Sequence, residues 1–244
     1  MTRSIQLLLF LLLLVPPTAS AMDMRQLIRE VEDQYMGVSS EAIMVMQVRT
    51  AHWTRTTEMH AWSLGRDHFL VRILAPAKER DVATLKIGRE VWNYLPKVDR
   101  TIRIPPSMMG GSWMGSHITN NDLVKAAHID EDYDFRLLAE DAQTWTIEGL
   151  PKPNAAVIWG RIVYRVEKKR RVPVQIDYFD EEGVRVRSIG FDRVTKIGNR
   201  QIPLRMRVQP LDQPDEQTVL EYRKLRFDVD IDRTFFSRRQ LRMP

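Results

Sequence analysis

Histidine, serine and the carboxylates are the groups from which this chain could build a reactive site, because cysteine is absent altogether. That absence removes disulfides, thiolate metal sites and cysteine nucleophiles, so a metal would have to rest on His, Asp and Glu. The five histidines are His52, His60, His68, His117 and His128. No pair has the i, i+4 spacing that sets two imidazoles on one helical face in a zinc protease. His60 follows Glu58 at the spacing that shares one face of a strand and could hold a metal there, although the polar side of a half-exposed strand is the more ordinary account. Ser112, in Gly110-Gly111-Ser112-Trp113-Met114, invites comparison with a nucleophile elbow. That turn requires glycine two residues after the serine, and Gly115 comes one place too late. Phosphate-cradling glycine motifs are missing. No catalytic residue, metal or cofactor is expected.

Two other concentrations of residue type stand out. Lys168-Lys169-Arg170-Arg171 is the densest cluster of charge. It reads either as the solvated end of a hairpin or as a contact for anionic lipid headgroups or an acidic patch on a membrane partner. The chain also carries twelve methionines and six tryptophans. Met44, Met46, Met59, Trp53, Trp62, Trp92, Met108, Met109, Trp113 and Met114 crowd its N-terminal half. One by one they are ordinary core fillers. As a set they suggest a surface that must accept variable apolar ligands, since methionine adapts its shape at low cost.

The elements that would position these residues start after a removable leader. Residues 1–21 hold one cation, Arg3, the apolar run from Leu7 to Val15, Pro16-Pro17 and the small-residue site Ala19-Ser20-Ala21. A run of roughly ten residues is too short to cross ~30 Å of hydrocarbon, and the ending matches a signal-peptidase site. Cleavage after Ala21 and a periplasmic location are expected, where nucleic acid is not an expected ligand. Across all 244 residues, 37 Lys and Arg face 32 Asp and Glu, and hydrophobic residues make up 43%. Those values imply no particular partner and exclude a disordered, collagen-like or coiled-coil chain.

From Asp23 to Met36, Met24, Leu27, Ile28, Val31 and Tyr35 fall at helical spacing, which predicts one amphipathic helix ending at Gly37. The period then drops to two. Strands are expected over 41–50, 56–64, 68–74, 82–87, 90–95 and 101–104, and again over 134–140, 143–149, 157–167, 172–179, 184–194, 200–209 and 217–227. Between the two runs, residues 107–116 have no alternation and carry three glycines among bulky side chains. Thr119 followed by Asp122 three residues later reads as a helix cap, so a helical insertion is expected near residues 107–127. With no room for crossover helices the sheet must be antiparallel, and about a dozen strands must curl or close. The fold class is therefore mainly β, α+β in detail. It consists of one strongly curved, unclosed antiparallel barrel of residues 22–244 with an N-terminal helix and a helical lid.

Thr84-Leu85-Lys86-Ile87-Gly88, Glu90 to Pro96, Arg100 and Ile104-Pro105 lead into Ser107 to Ser116 and then Thr119 to Leu123. Together these residues resemble the outer-membrane lipoprotein-sorting protein family of the LolA-like superfamily. The resemblance implies an unclosed barrel with a lid over an apolar cavity, in a periplasmic carrier that shields acyl chains. His117 departs from it, standing where an acidic residue is expected. On this reading Met44, Met46, Trp62, Trp92 and Tyr94 line the cavity, Met108, Met109, Trp113 and Met114 form the lid, and Gly110, Gly111 and Gly115 are its hinge. The expected partners are lipoprotein acyl chains or an envelope lipid, an inner-membrane permease as donor and an outer-membrane acceptor, met by a monomer in transient contact with the membrane. An envelope-assembly adaptor with a packed interior and no lipid remains the alternative.

Overall fold

A computed structural model describes residues 22–125 and 128–243. The expected leader, residues 1–21, lies outside the described residues, as do Ala126 and Ala127 at the end of the expected insertion. The chain opens with α1, Met24–Met36, whose first turn is capped by Asp23, the carboxylate accepting the amides of Arg25 and Gln26 at 2.9 and 3.3 Å. The helix stops at Gly37, whose φ of +62° and close approach to Phe227 favour a residue without Cβ.

Six strands follow: β1 (Ser39–Arg49), β2 (Thr54–Leu64), β3 (His68–Ala75), β4 (Ala83–Ile87), β5 (Glu90–Leu95) and β6 (Arg100–Arg103). An insertion carries the short helices α2 (Asn120–Lys125) and α3 (Ile129–Asp132). A second run comprises β7 (Tyr133–Glu140), β8 (Thr144–Pro151), β9 (Arg161–Glu167) and β10 (Val172–Phe179). It continues with β11 (Arg185–Ile197), β12 (Arg200–Pro210) and β13 (Gln217–Phe227), after which the chain ends in α4, Arg238–Arg242. The predicted strands are all present, except that residues 157–160, expected to open the strand 157–167, lie outside it in the β8–β9 connection. They make one antiparallel sheet ordered β6-β5-β4-β3-β2-β1-β13-β12-β11-β10-β9-β8-β7. Each run is a meander, and pairing of β1 with β13, Met46 opposite Leu220, joins the two at the centre.

That order leaves β6 and β7 as the two edges, and the insertion that connects them in sequence spans the opening between them. The concave face wraps α1. Leu27, Ile28 and Val31 are buried in one core with Ala42, Met44, Met46 and Val48 of β1, Ile162 and Tyr164 of β9, and Val208 of β12. A second, smaller core lies on the opposite face. There Phe236 and Leu241 of the C-terminal segment cover Leu70, Ala83, Leu85 and Tyr94, with Trp62 and Trp92 packed at its margin. This cover has no counterpart among the predicted elements. α4 is only five residues long, too short for a periodic signal, and is held by tertiary bonds such as Arg72 to the carbonyl of Gln240 at 2.8 Å. No described helix is long and apolar enough to cross a membrane.

Between α1 and the sheet lies a buried carboxyl. Tyr164 donates its hydroxyl to Glu32 at 3.1 Å. Burial pushes the Glu32 carboxyl up to about 7, with Asp130 and Asp33 adding to the effect and the Tyr164 bond and Arg66 opposing it. A carboxyl whose folded pKa is raised favours the fold below its unfolded value and loses that contribution as pH rises. Stability should therefore fall by on the order of 3 kcal/mol as pH rises through the window from about 4.5 to 7. Urea denaturation of the Glu32→Gln protein across that window should show the fall removed. An unchanged pH profile would assign the dependence to another group.

Candidate functional site

The concave sheet is larger than α1 can cover, and beside the helix lies a hollow of about 270 Å³. Its sheet wall comes from Met44 of β1, Ile189 of β11, Met206 and Val208 of β12, and Leu220 and Tyr222 of β13. The insertion forms the roof through Trp113, Ile118, Leu123 and Ile129, and Val157, Ile158 and Trp159 of the β8–β9 connection close a side. Period-two alternation explains the composition of the walls. Side chains that face inward along β12 and β13 are apolar, while Arg205, Arg207 and Glu221 occupy the other register.

Several side-chain contacts fasten the insertion to the body, among them those of Trp113, His117 and Asp122. Trp113, 2% exposed, donates Nε1–H to Thr84 Oγ1 at 3.1 Å, and Thr84 donates to Asn93 Oδ1 at 2.7 Å. His117 reaches β13, its amide donating to Thr218 Oγ1 at 3.0 Å, with ring nitrogens 2.9 Å from the same oxygen and 3.0 Å from Glu216 Oε2. The Ala51 amide and His117 hold the Glu216 carboxyl below the usual range. The third of these is an ion pair. Arg187 of β11 donates twice to Asp122 of α2, at 2.7 and 2.9 Å. Its guanidinium also lies 4.6 Å from the ring centre of Trp159 and 4.2 Å from that of Tyr178. Burial opposes ionisation of Asp122, but bonds from Arg187 and Thr119 outweigh it and keep the carboxyl below its ordinary range.

The expected cap is present. Thr119 donates its amide and hydroxyl to Asp122 at 2.8 and 2.9 Å, and the Asp122 amide returns a bond to Thr119 Oγ1 at 3.1 Å. His117, where an acidic residue was expected, does not disturb it. Ser112 donates its hydroxyl to the carbonyl of Ser116, a structural use of the group.

Several expected positions change. Met44 and Trp113 line the hollow, and Met46 is fully buried in the core beside it. Trp62, Trp92 and Tyr94 do not line it: they stand in the opposite register of β2 and β5 and pack beneath the C-terminal segment. Trp62 stacks on His60, with ring centres 3.7 Å apart, and 5.5 Å from Phe235. Met114 packs half-buried against the core and its carbonyl accepts from Arg55, whereas Met109 is half-buried outside the hollow's lining and Met108 is 59% exposed. The glycine segment is tied down. The Gly111 carbonyl accepts the Asn120 amide at 3.0 Å, the Met109 carbonyl accepts that of Asn121 at 2.7 Å, and a Cβ on Gly111 would stand 3.1 Å from the Met108 oxygen. Gly115 takes φ of +65° to turn the chain beside Arg55, while Gly110 is open to solvent. Gly111 and Gly115 thus lie within a compact unit joined to α2.

Lys168, Lys169, Arg170 and Arg171 form the β9–β10 turn. Lys168 lies 3.0 Å from Glu140, Arg170 2.6 Å from Glu167 and Arg171 2.5 Å from Glu30, so much of the cluster's charge is met locally. His60 Nε2 is 2.8 Å from Glu41, and no group of three or more His, Asp and Glu able to hold a metal occurs among the described residues. Arg187 escaped the sequence reading; it shares a register of β11 with Ile189 and Phe191 but also with Arg185 and Arg193, so alternation alone did not single it out.

A family model described as an uncharacterized protein matches residues 65–243. A domain assigned to outer membrane lipoprotein sorting, from Vibrio parahaemolyticus, is 22% identical with a TM-score of 0.79, covering 90% of this chain and 97% of that one. This chain belongs to the matched family and has the LolA-like fold. A DUF1329 family protein from Desulfovibrio piger is 24% identical (TM-score 0.80; 89% and 97% covered). A LolA superfamily protein from Nitrosomonas europaea is 18% identical (TM-score 0.75; 90% and 100% covered). No curated protein matches the sequence. The LolA-like fold implied by the resemblance is therefore found over nearly the whole described chain.

The buried ion pair between the insertion and β11 gives a test. Asp122→Asn leaves the Arg187 guanidinium buried without its counter-charge and should lower the unfolding free energy by about 3 kcal/mol. Adding Arg187→Met should recover roughly half of that loss or more. Denaturant titrations of the three variants give the coupling, and purely additive losses would show that the pair does not act as a unit.

Proposed function

We propose that this protein is a non-catalytic periplasmic carrier that shields the acyl chain of a lipoprotein or another envelope lipid in the hollow beneath its insertion. The observation that carries this reading is the apolar space of about 270 Å³ roofed by Trp113, Ile118, Leu123 and Ile129. That volume falls just under the ~300–1,000 Å³ of common ligand sites. With the insertion docked, the space takes part of a chain, and full entry requires the insertion to lift as one piece.

Transfer of a methylene from water to an apolar site is worth ~0.8 kcal/mol, so burying about ten of them gains roughly 8 kcal/mol before ordering costs. Lifting the insertion gives up the Trp113 bond, the His117 contacts and the Asp122–Arg187 pair. These losses subtract from the gain and keep the net affinity moderate, as a carrier that must hand over its load requires. The signal-peptide pattern of residues 1–21 supports export, and the assignment of the Vibrio relative to outer membrane lipoprotein sorting supports the cargo class. Loading from an inner-membrane permease and delivery to an outer-membrane acceptor complete the proposed route.

Protein purified from the periplasm without detergent should show, by native mass spectrometry, a population heavier than the bare chain by the mass of a lipid. Leu220→Trp, which fills the hollow from β13 at a stability cost of about 1–3 kcal/mol, should remove that population and weaken uptake of a fluorescent fatty-acyl probe by roughly tenfold or more. A bare chain that takes up no probe would leave the packed-interior adaptor as the reading.

A further inference from the structure

The apolar hollow also carries charge. Arg66, Lys86, Lys125 and Arg187 line it against a single carboxylate, Asp122. Three of the cations have carboxylate partners. Arg66 donates to Asp33 at 2.7 Å and Asp130 at 2.8 Å, Lys125 lies 2.6 Å from Asp132, and Arg187 holds Asp122. Lys86 differs. It is 2% exposed, its ammonium donates to the backbone carbonyl of Arg66, and it makes no ion pair with a carboxylate among the described residues.

The position is set by the sheet. Lys86 of β4 stands opposite Phe69 of β3, which also lines the hollow, and shares the inward register with Thr84, the acceptor for Trp113. An ammonium has three N–H donors and no acceptor, so one backbone carbonyl leaves donor capacity unused. Burial pulls Lys86 down to about 8, with Asp67 opposing, so at neutral pH the group is still mostly charged. A buried charge without a counter-ion is costly to the fold and strongly attracts one in a low-dielectric site. Arg66 and Lys125 both pair with carboxylates of α3, and Lys86 donates to the Arg66 carbonyl, so the three cations lie together on the lining of the space.

Resting on the carrier reading, we infer that the ligand is an amphiphile with an anionic oxygen headgroup, carboxylate or phosphate, and that Lys86 receives that headgroup while the chain lies along β11 to β13.

Competition against a fluorescent acyl probe at pH 7 tests this with dodecanoate, dodecyl phosphate, the neutral ester 1-dodecanoylglycerol, and acetate and inorganic phosphate as chainless controls. At least one of the two acidic amphiphiles should bind roughly tenfold more tightly than the ester, as expected for a charge-assisted bond in a dry site. Lys86→Met, which replaces the stem with a side chain of similar volume, should bring the acids to within about threefold of the ester and leave the ester's affinity unchanged, the latter showing that the hollow is intact. Comparison of dodecanoate with dodecyl phosphate assigns the headgroup. Equal binding of acids and ester in the unaltered protein overturns the inference and leaves the carrier intact. Competition by acetate or phosphate at the same concentrations overturns it in favour of a small-anion site. Failure of every chain-bearing compound to compete overturns the carrier reading itself.

Discussion

A strongly curved sheet that does not close has a concave apolar face it cannot cover with itself. The architecture follows from that constraint. Helix α1 covers part of the face with Leu27, Ile28 and Val31. The rest is left to the segment that runs from one free edge, β6, to the other, β7, and must therefore cross the opening. Full closure would have removed the edges and the need for a roof. An open sheet instead keeps a space whose size depends on where the crossing segment rests.

Rigid attachment and removable attachment call for different forces. Tight apolar packing alone would make the roof a permanent part of the core, since interiors pack with few voids. Here the roof packs Trp113, Ile118 and Ile129 into the core and adds directional polar contacts, among them Trp113 to Thr84, His117 to Thr218 and Glu216, and Asp122 to Arg187. Such contacts can exchange for water on opening, whereas exposed hydrocarbon cannot. Within the insertion, the cap at Thr119 and the backbone bonds around Gly111 hold the segment together as one unit. Meanwhile the C-terminal segment covers the outer face of β2 to β5 with Phe236 and Leu241 and stiffens the half of the sheet against which Trp113 docks.

Legibility in the sequence followed the range of the forces involved. Strands with one wet and one apolar register, such as 200–209, announce themselves because alternation is a local property of the chain. The cap at Thr119 and Asp122 was equally visible, being a bond between residues three apart. Trp62, Trp92 and Tyr94 were misplaced because β5 and the C-terminal end of β2 carry apolar side chains on both faces. Alternation then says that two sets of side chains point opposite ways without saying which set faces inward. The missing information was the C-terminal cover, itself a five-residue helix stabilised from a distance by Arg72.

By itself, then, the sequence determined the number and direction of strands, the helix before them and the break in the middle, all carried by neighbours along the chain or within a hairpin. Only the tertiary structure decided which apolar face is hollow and which is covered, that Arg187 closes on Asp122 from 65 residues away, and that Lys86 lies buried on the lining of the space. Those outcomes depend on how a long sheet curls and on what comes to rest against each side. Both are sums over many contacts distant in sequence, and no single stretch of residues encodes them.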